Sequence, residues 1–381
     1  MPSTPDANSF SKGSVMKIVQ LETFANSTIG FVRATAEDGA QGWGQVSTYN
    51  ADLTCAIFHR QVARHALGRD AFDIGGLMDL IGERELKFPG SYLRRAMGGL
   101  DTALWDLRGK AEGKPVTALL GGTPGRLAIY GSSMRRDITP AEEAKRLCQL
   151  RDEKGIRAFK WRVGAEAGRD IDQWPGRSEE IVPVVSKALG DRIAKLVDGN
   201  SGFGPKRAIE IGHMLEDNDI THFEEPCPYW EYDWTRQVTD ALSIDVTGGE
   251  QDCEISAWRT IIGTSVVNIV QPDVLYLGGM HRTMIVARMA AEAGLPCTPH
   301  SANLGLVTLC SMHLLRAIPN AGKYLEYSIE GPYSQQWTDK LFTQSPFEIE
   351  DGHVTVSDAL GWGIEINPAF LEKAAYQSSA L

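Results

Sequence analysis

Between Lys160 and Glu326, short apolar runs end again and again on a charged or metal-friendly side chain, at nearly constant intervals. Ala158-Phe159-Lys160-Trp161-Arg162 is followed by Leu196-Val197-Asp198, His222-Phe223-Glu224-Glu225, Gly248-Gly249-Glu250, Val270-Gln271-Pro272-Asp273, Thr298-Pro299-His300 and Leu325-Glu326. From Asp198 the steps are 26 residues to Glu224, 26 to Glu250, 23 to Asp273, 27 to His300 and 26 to Glu326. One strand, one helix and two short loops fill about that length. A run of such units, each carrying a reactive side chain where its strand stops, is how a (β/α)8 barrel builds a site at its C-terminal face. The pattern predicts an α/β chain organised on a TIM-type (β/α)8 barrel, and it predicts an enzyme.

The chain has 381 residues, more than the ~250 of a barrel, so a second unit is expected. Residues 1–13 are small and polar and are read as a flexible tail. Three strand-like runs follow, Ile18–Phe24, Ile29–Thr35 and Gly42–Val46, with Glu37-Asp38-Gly39 as a turn. Helical periodicity then runs from about Leu53 to Leu119. Residues 14–126 therefore form an α+β unit ahead of the barrel, which spans 127–330 from the strand at Leu127–Ser132. Within it, Pro140-Ala141-Glu142-Glu143 opens a helix that Gly155 closes, and Ala208, Ile211, Met214 and Leu215 give another its apolar face. After Glu326 the repeat is lost, and 331–381, with Trp337, Phe342 and Trp362, is expected to pack back on the N-terminal unit.

A formal net charge of −11 argues against nucleic acid or an anionic membrane as the main partner. No apolar run is long enough to span a bilayer. Six cysteines scattered without C-x-x-C spacing, and no secretory apolar segment at the N-terminus, are read as reduced thiols in a cytoplasm. Cys227 and Cys297, close to site positions, are read as packing.

Asp198, Glu224 and Glu250 end three successive expected strands, and neighbouring strands lie ~4.8 Å apart, so the three carboxylates converge. Ionised carboxylates that close raise one another's pKa, and a divalent cation removes the conflict. Oxygen-only ligation selects Mg2+ over zinc. Asn200 and Glu225 are the expected supporting partners. Lys160 and Arg162 are two apart on a strand and point together into the barrel mouth, with Trp161 toward the helices. On the far side Asp273 and His300 end consecutive strands, and a carboxylate beside an imidazole fixes its tautomer and raises its pKa for acid–base work. Glu326, on the last strand, faces the metal as a hydrogen-bonding group.

These residues resemble those of the enolase superfamily, in the mandelate racemase group, over nearly the whole chain. Gly99-Leu100-Asp101-Thr102-Ala103-Leu104-Trp105-Asp106-Leu107-Arg108-Gly109-Lys110 and Leu119-Leu120-Gly121-Gly122 are similar to that group's signature at the junction of capping domain and barrel. The resemblance implies that Asp198, Glu224 and Glu250 are metal ligands, that Asp273 and His300 form the His-Asp dyad, and that Glu326 is the final strand glutamate. It also implies an N-terminal α+β capping domain, completed by the C-terminal segment, whose loops select substrate. Here those loops are Ala25–Ile29 and Ser47–Asp52, with Tyr49 a candidate substrate contact. Members of the group commonly assemble as homo-oligomers.

One position departs from the racemase, whose second strand carries Lys-x-Lys. Lys160-Trp161-Arg162 places an arginine where a second base would stand, and arginine is effectively always protonated. Val266–Gly279 contains no lysine, which disfavours the groups with a sixth-strand lysine. The leading expectation is a Mg2+-dependent acid-sugar dehydratase in which His300 takes the proton α to a carboxylate and the β-hydroxyl leaves, giving a 2-keto-3-deoxy acid. Arg162, Lys160, Arg135 or Arg136 is expected to bind a second carboxylate, which leans toward a diacid such as galactarate, glucarate or tartrate. Two alternatives stand beside it: a racemase or epimerase of a 2-hydroxy acid, and a binding protein that has kept the fold without turnover.

Overall fold

β1 (Ile18–Ala25), β2 (Gly30–Ala36) and β3 (Gln41–Val46) pair antiparallel in chain order. The computed structural model to which they belong describes residues 15–301, 303–330 and 335–381, so the tail read at 1–13 lies outside the described residues. Ile18, Leu21, Val32, Ala34 and Val46 bury one face of this sheet against the long helix Ser91–Glu112, through Leu100, Ala103, Leu104 and Leu107. Two glycines on β3 set how close that helix comes. A Cβ at Gly42 would stand 2.2 Å from the Ala103 carbonyl oxygen, and one at Gly44 2.3 Å from that of Gly99. Only glycine fits either place. Ahead of that long helix the helical stretch is broken into shorter helices and contains a π-helical turn at Phe58–Val62.

The parallel sheet is built from β4 (Gly125–Ser132), β5 (Ala158–Arg162), β6 (Ala194–Asp198), β7 (His222–Glu224), β8 (Asp245–Gly248), β9 (Ile269–Val270) and β10 (Leu325–Ser328), in the order β10-β4-β5-β6-β7-β8-β9. Helices separate the strands. The one at Pro140–Lys154 starts on a capping box between Thr139 and Glu142 and stops at Gly155, whose φ of +71° suits only a residue tolerant of left-handed backbone. Alternate strand residues turn outward, so that Phe159, Trp161, Val197, Phe223 and Val246 pack against Ile181, Ile211, Val238 and Ile261 of the surrounding helices.

The expected strand at Thr298–His300 does not form as a strand. Isolated bridges, Val270 with Cys297, Asp273 with His300 and Cys297 with Ala321, close the gap between β9 and β10. Pro296 precedes this stretch and Pro299 lies within it, and neither has an N–H to give to a ladder, so single bonds such as Thr298 N–H to Val270 O and His300 N–H to Pro272 O hold it in place.

The C-terminal part meets the barrel as well as the N-terminal unit. β11 (His353–Val356) adds antiparallel to β4 of the barrel, while β12 (Ala375–Ala380) adds to β1. Trp362 packs at the junction, its indole N–H donating to Thr102 O. The Gly99–Lys110 stretch gains a physical meaning here. Buried Asp101 accepts from the backbone N–H of Met280 (2.6 Å) and His281 (3.2 Å), at the N-terminus of the helix Met280–Glu292. Buried Asp106 accepts from Trp43 N–H and Trp362 N–H (each 2.8 Å) and from Lys110 (2.6 Å). Two carboxylates thus pin the first sheet, the barrel and the C-terminal segment to one helix. Among the described residues no helix is long and apolar enough to cross a membrane.

Candidate active site

The inward-facing residues of β5 reach the mouth of the barrel as their spacing predicts. Lys160 is buried, with its ammonium bonded to Glu224, 2.8 Å from Glu326 and 3.7 Å from Asp198. Burial alone would lower its pKa, but Glu224, Glu326 and Asp198 outweigh that and keep the ammonium charged. Arg162 donates to Asn200 Oδ1 at 2.6 Å and lies 3.5 Å from Asp198. The same carboxylates raise its pKa against burial, so it stays a cation.

Asp198 and Glu224 sit side by side in register on β6 and β7. Glu250 follows β8, whose Thr247 is the register partner of Glu224. Burial, with Asp198, Glu326 and Glu250 nearby, pushes Glu224 up to about 7 against the pull of Lys160. Glu225 is buried behind them, and burial, Glu250 and Asp198 raise it well above the carboxylate range. Asp198 Oδ2 and Glu225 Oε1 are buried and accept no hydrogen bond, and Asp198 Oδ2 has only the longer ion pairs with Arg162 (3.5 Å) and Lys160 (3.7 Å). Buried carboxylate oxygens left in this way are costly unless a cation compensates them. The all-oxygen donor set of Asp198, Glu224 and Glu250 suits a hard divalent cation. Among the described residues no three such groups already close into a metal cage, and Lys160 bridges the space between them.

Across the mouth, His300 Nδ1 lies 2.8 Å from Asp273 Oδ2, and its Nε2 lies 3.2 Å from Glu250 Oε2. Asp273 Oδ1 accepts from Leu275 N–H and Tyr276 N–H, which fixes the carboxylate that orients the ring. Burial would lower the imidazole pKa, yet Glu250, Asp273 and Glu326 carry it up to about 10. Glu326 accepts from Ser132 and from Ser301 N–H, and although burial opposes it, Lys160 and His300 hold it down at about 2.

Asn200 is tied to three charged neighbours. Its N–H donates to Asp198 Oδ1 at 2.7 Å and its Oδ1 accepts from both Arg162 and Arg136. Arg135 does not enter the site. It pairs with Asp137 on the surface, and the adjacent Arg136 turns inward to Gly164 O and Asn200, with burial and Arg162 pushing it down to about 10. Tyr49 lines the mouth and is half exposed, with a φ of +62°. Its loop is tied to the other proposed loop by bonds from Tyr49 N–H to Thr28 O and from Ala51 N–H to Ser27 O. Cys227 and Cys297 are free and buried, each thiol pushed up to about 12 by burial, as suits packing.

Four contributors lie outside the site residues expected from the sequence. Gln271, on the residue after β9, donates to Glu224 Oε2 at 2.7 Å; its inward position was readable from strand parity. Arg95, Tyr276 and Asn303 line the open cavity of about 380 Å³ together with Tyr49, Arg162, Glu250 and His300. Arg95 and Asn303 arrive by tertiary packing of the first unit on the barrel, Asn303 donating to Thr48, and no local pattern marks them.

Comparison with known proteins agrees with this architecture. Residues 142–370 match the family model described as enolase C-terminal domain-like, and residues 14–121 match the mandelate racemase/muconate lactonizing enzyme N-terminal domain. Arabinonate dehydratase of Saccharolobus solfataricus is 27% identical, over 88% of this chain and 87% of its own. A protein of Roseobacter denitrificans, provisionally named a racemase, superposes with a TM-score of 0.94 at 62% identity, over 96% of this chain and all of that one. A mandelate racemase/muconate lactonizing protein of Paracoccus denitrificans PD1222, in complex with magnesium, gives 0.86 at 27% identity over 96% and 98%.

Proposed function

Since the chain belongs to the mandelate racemase/muconate lactonizing enzyme family of the enolase superfamily, we propose that it is a Mg2+-dependent acid-sugar dehydratase. Asp198, Glu224 and Glu250 would hold the metal. Bound there, Mg2+ supplies electrostatic stabilisation to the charge that develops on the substrate carboxylate. The protein's own groups do the rest. Lys160, charged and buried, lies where it can share that negative charge, and Arg162 binds rather than deprotonates. His300 Nε2 takes the α-proton while Asp273 holds Nδ1. The freed electron pair passes into the carboxylate as an enediolate and then expels the β-hydroxyl, which leaves as water on taking the proton back from the His300 imidazolium. The enol so formed tautomerises to the 2-keto-3-deoxy acid. For His300 to accept a proton it must be neutral, so the Glu250 charge that keeps it protonated must be engaged elsewhere, as it is when Glu250 serves as a ligand.

The observation that carries this reading is the unequal pair of cavity walls. An imidazole oriented by a buried carboxylate stands on one, and an arginine held charged by Asp198 stands on the other. That is one base, which suits elimination better than inversion. The arabinonate dehydratase resemblance supports the same class. The test is to screen acid sugars for 2-keto acid formation with Mg2+ and after chelation, in D2O. Product should form only with the metal, and recovered substrate should keep its configuration. Recovery of the inverted epimer instead would sink the dehydratase and establish the racemase reading, which the Roseobacter denitrificans relative favours.

A further inference from the structure

Arg94 and Arg95 are neighbours on the helix Ser91–Glu112, yet they are treated differently. Arg94 is paired through two bonds of 3.0 Å with Glu254. Arg95 has no carboxylate within ion-pair distance among the described residues, although it lines the same cavity as His300, Glu250 and Arg162. It is nevertheless fixed in place from both sides. Its guanidinium carbon lies 3.4 Å from the ring centroid of Tyr276, and one nitrogen donates to Ser47 Oγ at 2.9 Å. Tyr276 belongs to the barrel and its ring is 5.8 Å from that of His300, whereas Ser47 follows β3 of the first sheet. A guanidinium stacked on an aromatic face keeps its in-plane N–H donors available, and that planar fork matches a carboxylate. Holding a half-buried cation this rigidly without a counter-charge is unfavourable until an anion arrives.

We infer that Arg95, stacked on Tyr276 at the capping-domain side of the cavity, binds a second carboxylate at the far end of the substrate, so that the substrate is a sugar diacid. This rests on the proposed proton abstraction at the near end, where His300 and the metal-binding carboxylates fix the α-carbon. The far end of a polyhydroxy chain then extends out of the barrel toward the cap, past the neutral donors and acceptors of Thr48, Asn50, Tyr92 and Gln251. A monoacid places a hydroxyl at Arg95 and leaves the guanidinium uncompensated.

The experiment uses the full chain with Mg2+ and stereochemically matched pairs of diacid and monoacid, such as galactarate with galactonate. Binding is measured by calorimetry, and α-proton exchange is followed in D2O. Wild type should bind the diacid of its preferred pair more tightly. Arg95→Met should weaken diacid binding by about 10- to 100-fold, the usual worth of a charge-assisted bond, raise KM with little change in kcat, and leave monoacid binding within about twofold. Arg95→Lys should recover part of the loss. Equal weakening of both acids by Arg95→Met, or wild-type preference for the monoacid, overturns the assignment. Absence of α-proton exchange on any acid that binds overturns the dehydratase reading instead, while diacid-selective binding would still support Arg95.

Discussion

Two groups of buried carboxylates in this molecule are built on opposite principles. At the junction of cap and barrel, Asp101 and Asp106 receive backbone N–H groups from Met280, His281, Trp43 and Trp362, and Asp106 also receives Lys110. At the barrel mouth, Asp198, Glu224, Glu225 and Glu250 face one another, and two of their oxygens accept nothing. The junction spends its carboxylates on holding elements together. The mouth keeps carboxylates in conflict, an arrangement of oxygens that suits a cation. Burial by itself therefore does not separate a structural acid from a functional one; the partners do.

The largest expected effect lies at the mouth. His300→Asn should cut α-proton exchange and dehydration by about 10²–10⁴-fold, while the melting temperature and Mg2+ binding stay near wild type. A large loss of stability would mean that His300 belongs with the junction residues. The reverse pattern is expected for Asp101→Ala, which strands two buried N–H groups at a cost of about 1–3 kcal/mol each. Chemical denaturation should show that loss, with kcat per folded molecule little changed. A finer contrast comes from titration by NMR. Added Mg2+ should lower the His300 pKa by about one unit or more, because the Glu250 charge that raises it becomes engaged. Asp101, pushed up to about 7 by burial, should not respond. An effect confined to acid is expected at His313, which accepts the Thr117 N–H and is held down at about 3 by burial. Its unfolded counterpart takes a proton near pH 6.5 and the folded ring does not, so stability should fall as pH drops from about 6.5 toward 3. His313→Asn should flatten that slope in denaturation curves, and an unchanged slope would assign it to other groups.

Legibility follows the same division. Lys160, Arg162, Asp198, Glu224 and Glu326 lie on strands, where a period of two says which way a side chain points, and from Asp198 onward steps of 23 to 27 residues bring the acidic ones together. Arg135 and Arg136 lie just beyond β4 in irregular backbone, where no period exists to say that Arg136 turns inward while Arg135 pairs with Asp137 on the surface. Arg95 sits on a helix that is buried on most sides, so its neighbours in sequence say nothing about which barrel loop it meets. Thr298–His300 looks like a strand by position alone, but Pro296 and Pro299 remove the donors that a strand needs. His353–Val356 is too short to announce that it joins the barrel.

The pairing of β12 with β1 sets a timetable. Gln20 stands opposite Ala380, so at roughly 5–20 residues per second β1 waits on the order of 20–70 s on the ribosome for its outer neighbour. Through that interval the whole barrel emerges, while the edge of the first sheet presents unpaired backbone groups to anything nearby. The barrel, with its cluster of buried ionisable groups, can thus be finished before the first sheet is. A nascent chain stopped short of Ala375 would carry the complete constellation from Lys160 to Glu326 beneath a cap that still lacks its last strand.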